Sequence, residues 1–143
     1  MMRILVVNCN TSADVTHTID VGARAAASSG TEIVTVQPTW GPASAEGYLE
    51  SFITAAAVID VISRQKDFDA VVMAGYGEHG REGVRQLVDV PVVDVTEASA
   101  YVASLLSERF AVVTTVASTI PGIRQSLEAV SYTHLTLPTT PYV

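Results

Sequence analysis

The run Asp69-Ala70-Val71-Val72-Met73-Ala74-Gly75-Tyr76-Gly77-Glu78-His79-Gly80-Arg81 concentrates the residues of this chain best suited to chemistry. An unbroken apolar stretch gives way to glycines, then to a carboxylate and an imidazole. A short apolar run bounded by glycines reads as a strand buried on both faces. The glycines let the chain turn tightly at its C-terminal end, where open α/β sheets bind their ligands. A helix starting there turns its first amides toward the crevice, suited to an anion or to charge developing on a carbonyl oxygen. Of the side chains present, His79 is the type that titrates near neutrality. A histidine at a helix start is commonly just solvated.

The elements around this stretch repeat strand and helix with short connections. Residues 4–7 are apolar and lead through Asn8, Cys9, Asn10, Thr11 and Ser12 into a helix to about residue 28. Thr11 or Ser12 is expected to cap it. Residues 32–36 read as a second strand, and Ser44 as the cap of a long alanine-rich helix over 46–66. After the Gly75 strand a helix is expected over 79–87. Pro91 then precedes a strand over 92–95, and Thr96 is expected to cap a helix to about residue 106. This is the pattern of βαβ units on a parallel sheet with helices on both faces, a doubly wound α/β fold.

Composition narrows the function. The 143 residues suit one domain with a sizeable core; 48% are apolar and 16% charged, which excludes a disordered chain. A net charge of −7 argues against nucleic acid and anionic membranes as partners, since both select basic patches. The only cysteine, Cys9, excludes an intrachain disulfide and suits a reducing cytoplasm. His17, His79 and His134 are too scattered to suggest a metal site. The N-terminal apolar run is too short for a signal peptide or a membrane span, so a cytoplasmic protein is expected.

Several motifs occur together in order: Arg3-Ile4-Leu5-Val6-Val7-Asn8-Cys9-Asn10-Thr11-Ser12, Gly41-Pro42-Ala43-Ser44-Ala45-Glu46-Gly47, the Asp69 to Glu78 run, Pro91-Val92-Val93-Asp94-Val95-Thr96-Glu97-Ala98, and Arg109-Phe110-Ala111-Val112-Val113-Thr114-Thr115. Through them most of residues 2–129 resembles the Asp/Glu/hydantoin racemase superfamily, and its hydantoin racemase branch in particular. The resemblance implies two similar α/β halves facing each other, a homo-oligomer, a small-molecule substrate, and neither metal nor bound coenzyme. It also implies one catalytic cysteine from each half. Here Gly75 stands where the first is usual.

Racemisation without a cofactor removes a proton next to a carbonyl and returns one from the opposite face, so it uses two groups flanking the substrate. With Gly75 in place of a thiol, Cys9 is the candidate substitute, at the end of the strand beside the Gly75 strand. An inert buried cysteine is the commoner case. His79, Tyr76 and Glu78 are neighbouring alternatives. The resemblance makes Asn10, Thr11, Ser44, Thr114 and Thr115 expected substrate contacts, with the Gly75-Tyr76-Gly77 loop. Read as caps and strand ends, the same residues need no ligand. Glu46 and Glu97 read as first-turn glutamates that complement a helix dipole. Two other readings remain open: a maleate isomerase or decarboxylase-like relative using one cysteine, and a protein that binds a small molecule without catalysis.

Domain boundaries follow from a weak internal repeat. Residues 3–8 and 109–114 align 106 positions apart, and Ser12 then falls on Ser118 as a helix cap. Residues 1–108 are read as a first α/β domain and 109–129 as the start of a truncated second one. The counterpart of Gly75 would lie beyond residue 143. From Val130 the run Val-Ser-Tyr-Thr-His-Leu-Thr-Leu-Pro-Thr loses helical period and matches, codon for codon, a translated transposase library adapter. Residues 130–143 are therefore expected to be non-native, and Tyr132 and His134 to carry no function. Such a fragment is expected to be poorly soluble and inactive by itself.

Overall fold

The computed structural model describes residues 1–129; the expected non-native segment, 130–143, lies outside the described residues. Its elements alternate as β1 (Met2–Val7), α1 (Ala13–Ala26), β2 (Thr31–Val36), α2 (Tyr48–Ser63), β3 (Ala70–Met73), α3 (Arg81–Leu87), β4 (Val92–Asp94) and α4 (Val95–Leu106). A 3-10 turn over Ala117–Thr119 then leads into α5 (Ile120–Ala129). The four strands form one parallel sheet in the order β2-β1-β3-β4.

That order fixes where a ligand can sit. The chain steps from β1 outward to β2, then returns across β1 to β3 and β4. Right-handed crossovers therefore place α1 on one face and α2 with α3 on the other. The crevice opens between β1 and β3, where the winding reverses. Leu5, Val7, Val71 and Met73 pack there against Val58, Val61, Ile62 and Val84 of α2 and α3, in one buried cluster. The opposite face is covered more thinly, since α1 buries none of its own residues fully.

The strands end in register. Val7 pairs with both Val36 and Met73, and Met73 pairs with Asp94. Backbone hydrogen bonds from Asn8 to Val36 and from Ala74 to Val7, both 2.9 Å, carry the alignment one residue further. Two residues past the Val7–Met73 pair, Cys9 and Gly75 face each other.

Several expected caps lie elsewhere. Ser12 does cap α1, its hydroxyl accepting from the Val15 amide at 3.4 Å. Ser44 does not cap α2: its hydroxyl donates to Glu46 at 3.0 Å, and the helix starts only after Gly47. Glu46 therefore lies ahead of the helix, whose first-turn acid is Glu50. Asp94, not Thr96, caps α4, because a carboxylate at the strand end accepts from the amides of both Thr96 and Glu97. Glu97 is a first-turn acid, as expected. Ser118 lies inside the 3-10 turn and is no helix cap.

The strand expected over 110–114 is absent; residues 107–116 are irregular and Val113 is 94% exposed. The segment has the composition of a buried strand. A strand, however, is held by hydrogen bonds to a neighbour, and among the described residues no strand lies beside it. No helix of the described residues is long and apolar enough to cross a membrane.

Candidate functional site

At the switch point the missing side chain of Gly75 is replaced by its neighbours. A Cβ built on Gly75 would overlap Cys9 Sγ, and would lie 2.7 Å from Cys9 Cβ and 2.9 Å from His79 Cδ2. Cys9 and His79 thus close over the backbone at the end of β3. Gly75 has no left-handed backbone, so the constraint is one of space.

The loop after Gly75 is held from below. Thr96 is fully buried; its hydroxyl accepts from the Gly77 amide at 2.9 Å and lies 3.3 Å from the Gly77 carbonyl. Gly77 and Gly80 adopt left-handed φ values of 128° and 90°, which glycine reaches without steric cost. Gly80 also presses on α2, where an added Cβ would meet Ala55 at 3.0 Å. The expected helix start at His79 therefore moves to Arg81.

The free amides expected to greet an anion at this turn are engaged. Glu78 turns its own Oε1 back to accept from Gly80 N at 2.9 Å and Arg81 N at 3.2 Å. The protein supplies its own carboxylate there, and the donor role expected of those amides is replaced by a positioned acid.

Burial sets the chemistry of the three titratable groups at the floor. It pushes the Cys9 thiol up to about 11, with a lesser contribution from the Asp94 carboxylate, against a backbone hydrogen bond. It pulls His79 below the ordinary imidazole value, opposed by the Tyr76 backbone and Glu78. His79 is 5% exposed and its Nδ1 makes no hydrogen bond of ordinary geometry. Asp94 is raised by the same desolvation, opposed by its bonds to Thr96 and by Arg81. Cys9 is therefore a protonated, half-buried thiol near neutral pH.

A cavity of about 250 Å³ opens beside this floor. Tyr76, Gly77, Glu78 and His79 line one side, Ala45, Gly47, Tyr48, Ser51 and Phe52 a second, and Ser118, Thr119, Ile123 and Gln125 a third. Among the described residues Glu78 contributes its only carboxylate, with a side chain 43% exposed. Cys9 and Gly75 are not among the lining residues.

The expected substrate contacts divide accordingly. Tyr76 and Gly77 line the cavity. Asn10 sits at the strand ends, but its Oδ1 accepts from Asn8 Nδ2 and from the Ser12 amide, both at 3.0 Å, and so builds the loop. Thr11 is tied by backbone bonds to Pro42 and to the Gln37 side chain. Ser44 is exposed and bonded to Glu46, one residue short of the lining residue Ala45. The Thr114 hydroxyl pairs with that of Thr119 at 2.8 Å, and Thr115 is exposed. Sequence reasoning overlooked Asn8, fully buried, whose amide nitrogen joins Asn10, Ser12 and Thr16. It also overlooked Asp94 and Arg81, whose burial no local pattern announces. Among the described residues no group of His, Cys, Asp and Glu is arranged to hold a metal ion.

A parallel α/β unit with its cavity beside the switch point and a positioned carboxylate in the wall is a small-molecule site by class. The family model for Asp/Glu/Hydantoin racemase matches residues 4–139, and the chain belongs to that family. It is 40% identical over 129 residues to a hydantoin racemase of Pseudomonas sp. (strain NS671), covering 89% of this chain and 50% of that protein. With a hydantoin racemase of Paenarthrobacter aurescens the identity is 33%, over 88% and 53% of the two chains. It superposes on the crystal structure of an allantoin racemase from Pseudomonas fluorescens with a TM-score of 0.86 at 53% identity, covering 90% of this chain and 55% of that one. For an allantoin racemase from Klebsiella pneumoniae the TM-score is 0.90 at 36% identity, over 94% and 56%. The chain spans about half the length of the curated relatives it matches.

Proposed function

We propose that this chain forms the first half of a cofactor-independent racemase that exchanges the α-proton of a 5-substituted hydantoin. Residues 1–108 are its first α/β domain and 109–129 the beginning of the second. Allantoin is the first substrate to try, because 53% identity to an allantoin racemase exceeds the 40% to a hydantoin racemase.

The observation that carries the mechanism is the Glu78 carboxylate in the cavity wall, three residues past Gly75. Of the groups near Gly75, Cys9 is half-buried and held protonated by desolvation, which leaves little thiolate to act as base. His79 lines the cavity as a neutral ring suited to accept or donate a hydrogen bond. Glu78 lines the cavity with its carboxylate while two backbone amides hold Oε1 and so fix its orientation. It takes the proton from one face of the α-carbon. A group on the facing half returns a proton from the other, as inversion requires. The Tyr76 and Gly77 wall bounds the substrate, and Asn10 and Thr11 brace the neighbouring loop at the strand ends. Cytoplasmic location, supported by a single unpaired cysteine, and homo-oligomer formation belong to the same proposal.

The test uses the complete reading frame of the source gene. Each enantiomer of allantoin, and of a 5-alkyl hydantoin, is incubated in D2O, and loss of the α-proton signal is followed by NMR with optical rotation. Glu78→Gln is expected to slow exchange about 10²- to 10⁴-fold, the usual worth of a general base. Full exchange in Glu78→Gln with loss in Cys9→Ser would move the role to Cys9. An achiral product would indicate an isomerase or decarboxylase-like reaction, and binding without exchange a non-catalytic protein.

A further inference from the structure

We propose that Arg81 is a positioning residue for the Glu78 carboxylate and joins it to the α5 wall of the cavity; this rests on the reading of Glu78 given above. Arg81 is 1% exposed, the largest fully buried side chain among the described residues. Each of its nitrogens is directed. Nη2 lies 3.4 Å from Glu78 Oε2. Nε donates to Glu82 at 3.0 Å and lies 3.5 Å from Glu97. Nη1 lies 3.8 Å from Asp94 and donates to the Ser126 hydroxyl of α5 at 3.4 Å.

A cation buried among carboxylates is weak evidence for stability, because desolvation offsets most of the attraction and an apolar side chain could fill the space. What an apolar residue could not do is orient Glu78. The Gly80 and Arg81 amides hold Oε1, and the Arg81 guanidinium faces Oε2, so the carboxylate is gripped through both oxygens. Ser126 adds the second link: it is 1% exposed on α5, the helix whose Ile123 and Gln125 line the far side of the same cavity. One side chain therefore touches both walls. The other ionisable groups nearby are Arg85, which pairs with Glu82 and Glu97, and the neutral His79 ring beside Glu78. Neither reaches both walls.

The test is the steady-state comparison of Arg81→Lys and Arg81→Met with the parent in the complete protein, alongside Arg85→Gln. Lysine keeps the charge and loses the fork that reaches Glu78 and Ser126 together. Both Arg81 variants are expected to lower kcat about ten- to hundredfold with KM within about twofold, because Arg81 grips the base and does not line the cavity. Arg85→Gln is expected to leave kcat unchanged. A kcat that falls only with the folded fraction overturns the proposal. A measurement on the parent fold stands even where the Arg81 variants unfold: the guanidinium 15N signals of Arg81 are expected to move in Glu78→Gln, and unmoved signals overturn it too. Full activity in Glu78→Gln would remove the base assignment while leaving this contact visible in those signals, so the two failures are distinguishable.

Discussion

Gly75 and Cys9 compete for one volume, and a four-protein cycle measures the competition. A Cβ at position 75 would overlap Cys9 Sγ and sit 2.7 Å from Cys9 Cβ, with His79 Cδ2 at 2.9 Å. The backbone at Gly75 accepts alanine, which by itself stabilises by about 0.4–1 kcal/mol through the unfolded chain. Overpacking of a filled site costs about 1–3 kcal/mol. Gly75→Ala should therefore destabilise by about 1–2 kcal/mol. Cys9→Gly should cost a similar amount by opening a small void and loosening the loop. In the double variant the new methyl enters the space the thiol has left, and only the His79 ring edge has to yield. The two changes should then couple favourably by about 1–3 kcal/mol, more than in the pair built on Cys9→Ala, which keeps the 2.7 Å obstacle. Urea midpoints of the four proteins give the number. Additivity within about 0.5 kcal/mol would refute the steric argument. It would also imply that a cysteine could be installed at position 75 with Cys9 in place, whereas the geometry allows a side chain at one position or the other.

Other predictions follow from single contacts. Thr96→Val leaves the Gly77 amide without its acceptor in a buried position and should cost about 1–3 kcal/mol in chemical unfolding; a cost near zero would mean another acceptor takes over. Cys9 should react with a disulfide reagent more slowly at pH 8 in the folded than in the urea-unfolded chain, since partial burial holds its thiol at about 11; equal rates would contradict the raised thiol pKa. His79 has a folded pKa below its ordinary 6.5, so below that pH the unfolded chain takes up a proton that the folded one refuses. Stability is thus lost on acidification from about 6.5, by at most about 1.4 kcal/mol per pH unit, and His79→Gln should flatten that slope. Asp94 acts in the opposite sense: raised above 3.8, it keeps its proton in the folded state longer, so its contribution falls as pH rises through that window. Asp94→Asn retains a capping oxygen and should remove that dependence. A profile unchanged in Asp94→Asn would assign it to other groups.

Read along the chain, residue types and spacing determined the order of strands and helices, the parallel α/β class, and the tight turn that follows the Gly75 strand. These are local signals: apolar runs of strand length, glycines that end them, helical periods between. They also placed Cys9 at the end of the strand that proves to neighbour β3. The tertiary structure decided the rest. Which of Asp94 and Thr96 caps α4 depended on Gly77, nineteen residues before Thr96 in the chain, whose amide claims the threonine hydroxyl. The burial of Arg81 depended on carboxylates from the loop before it, its own helix, β4 and α4, and on Ser126 in α5. The amides expected to bind an anion were claimed by Glu78 through a side-chain rotation that spacing does not encode. The segment 110–114, strand-like in composition, stayed irregular because a strand's hydrogen bonds belong to its neighbour, and a neighbour is a property of the fold.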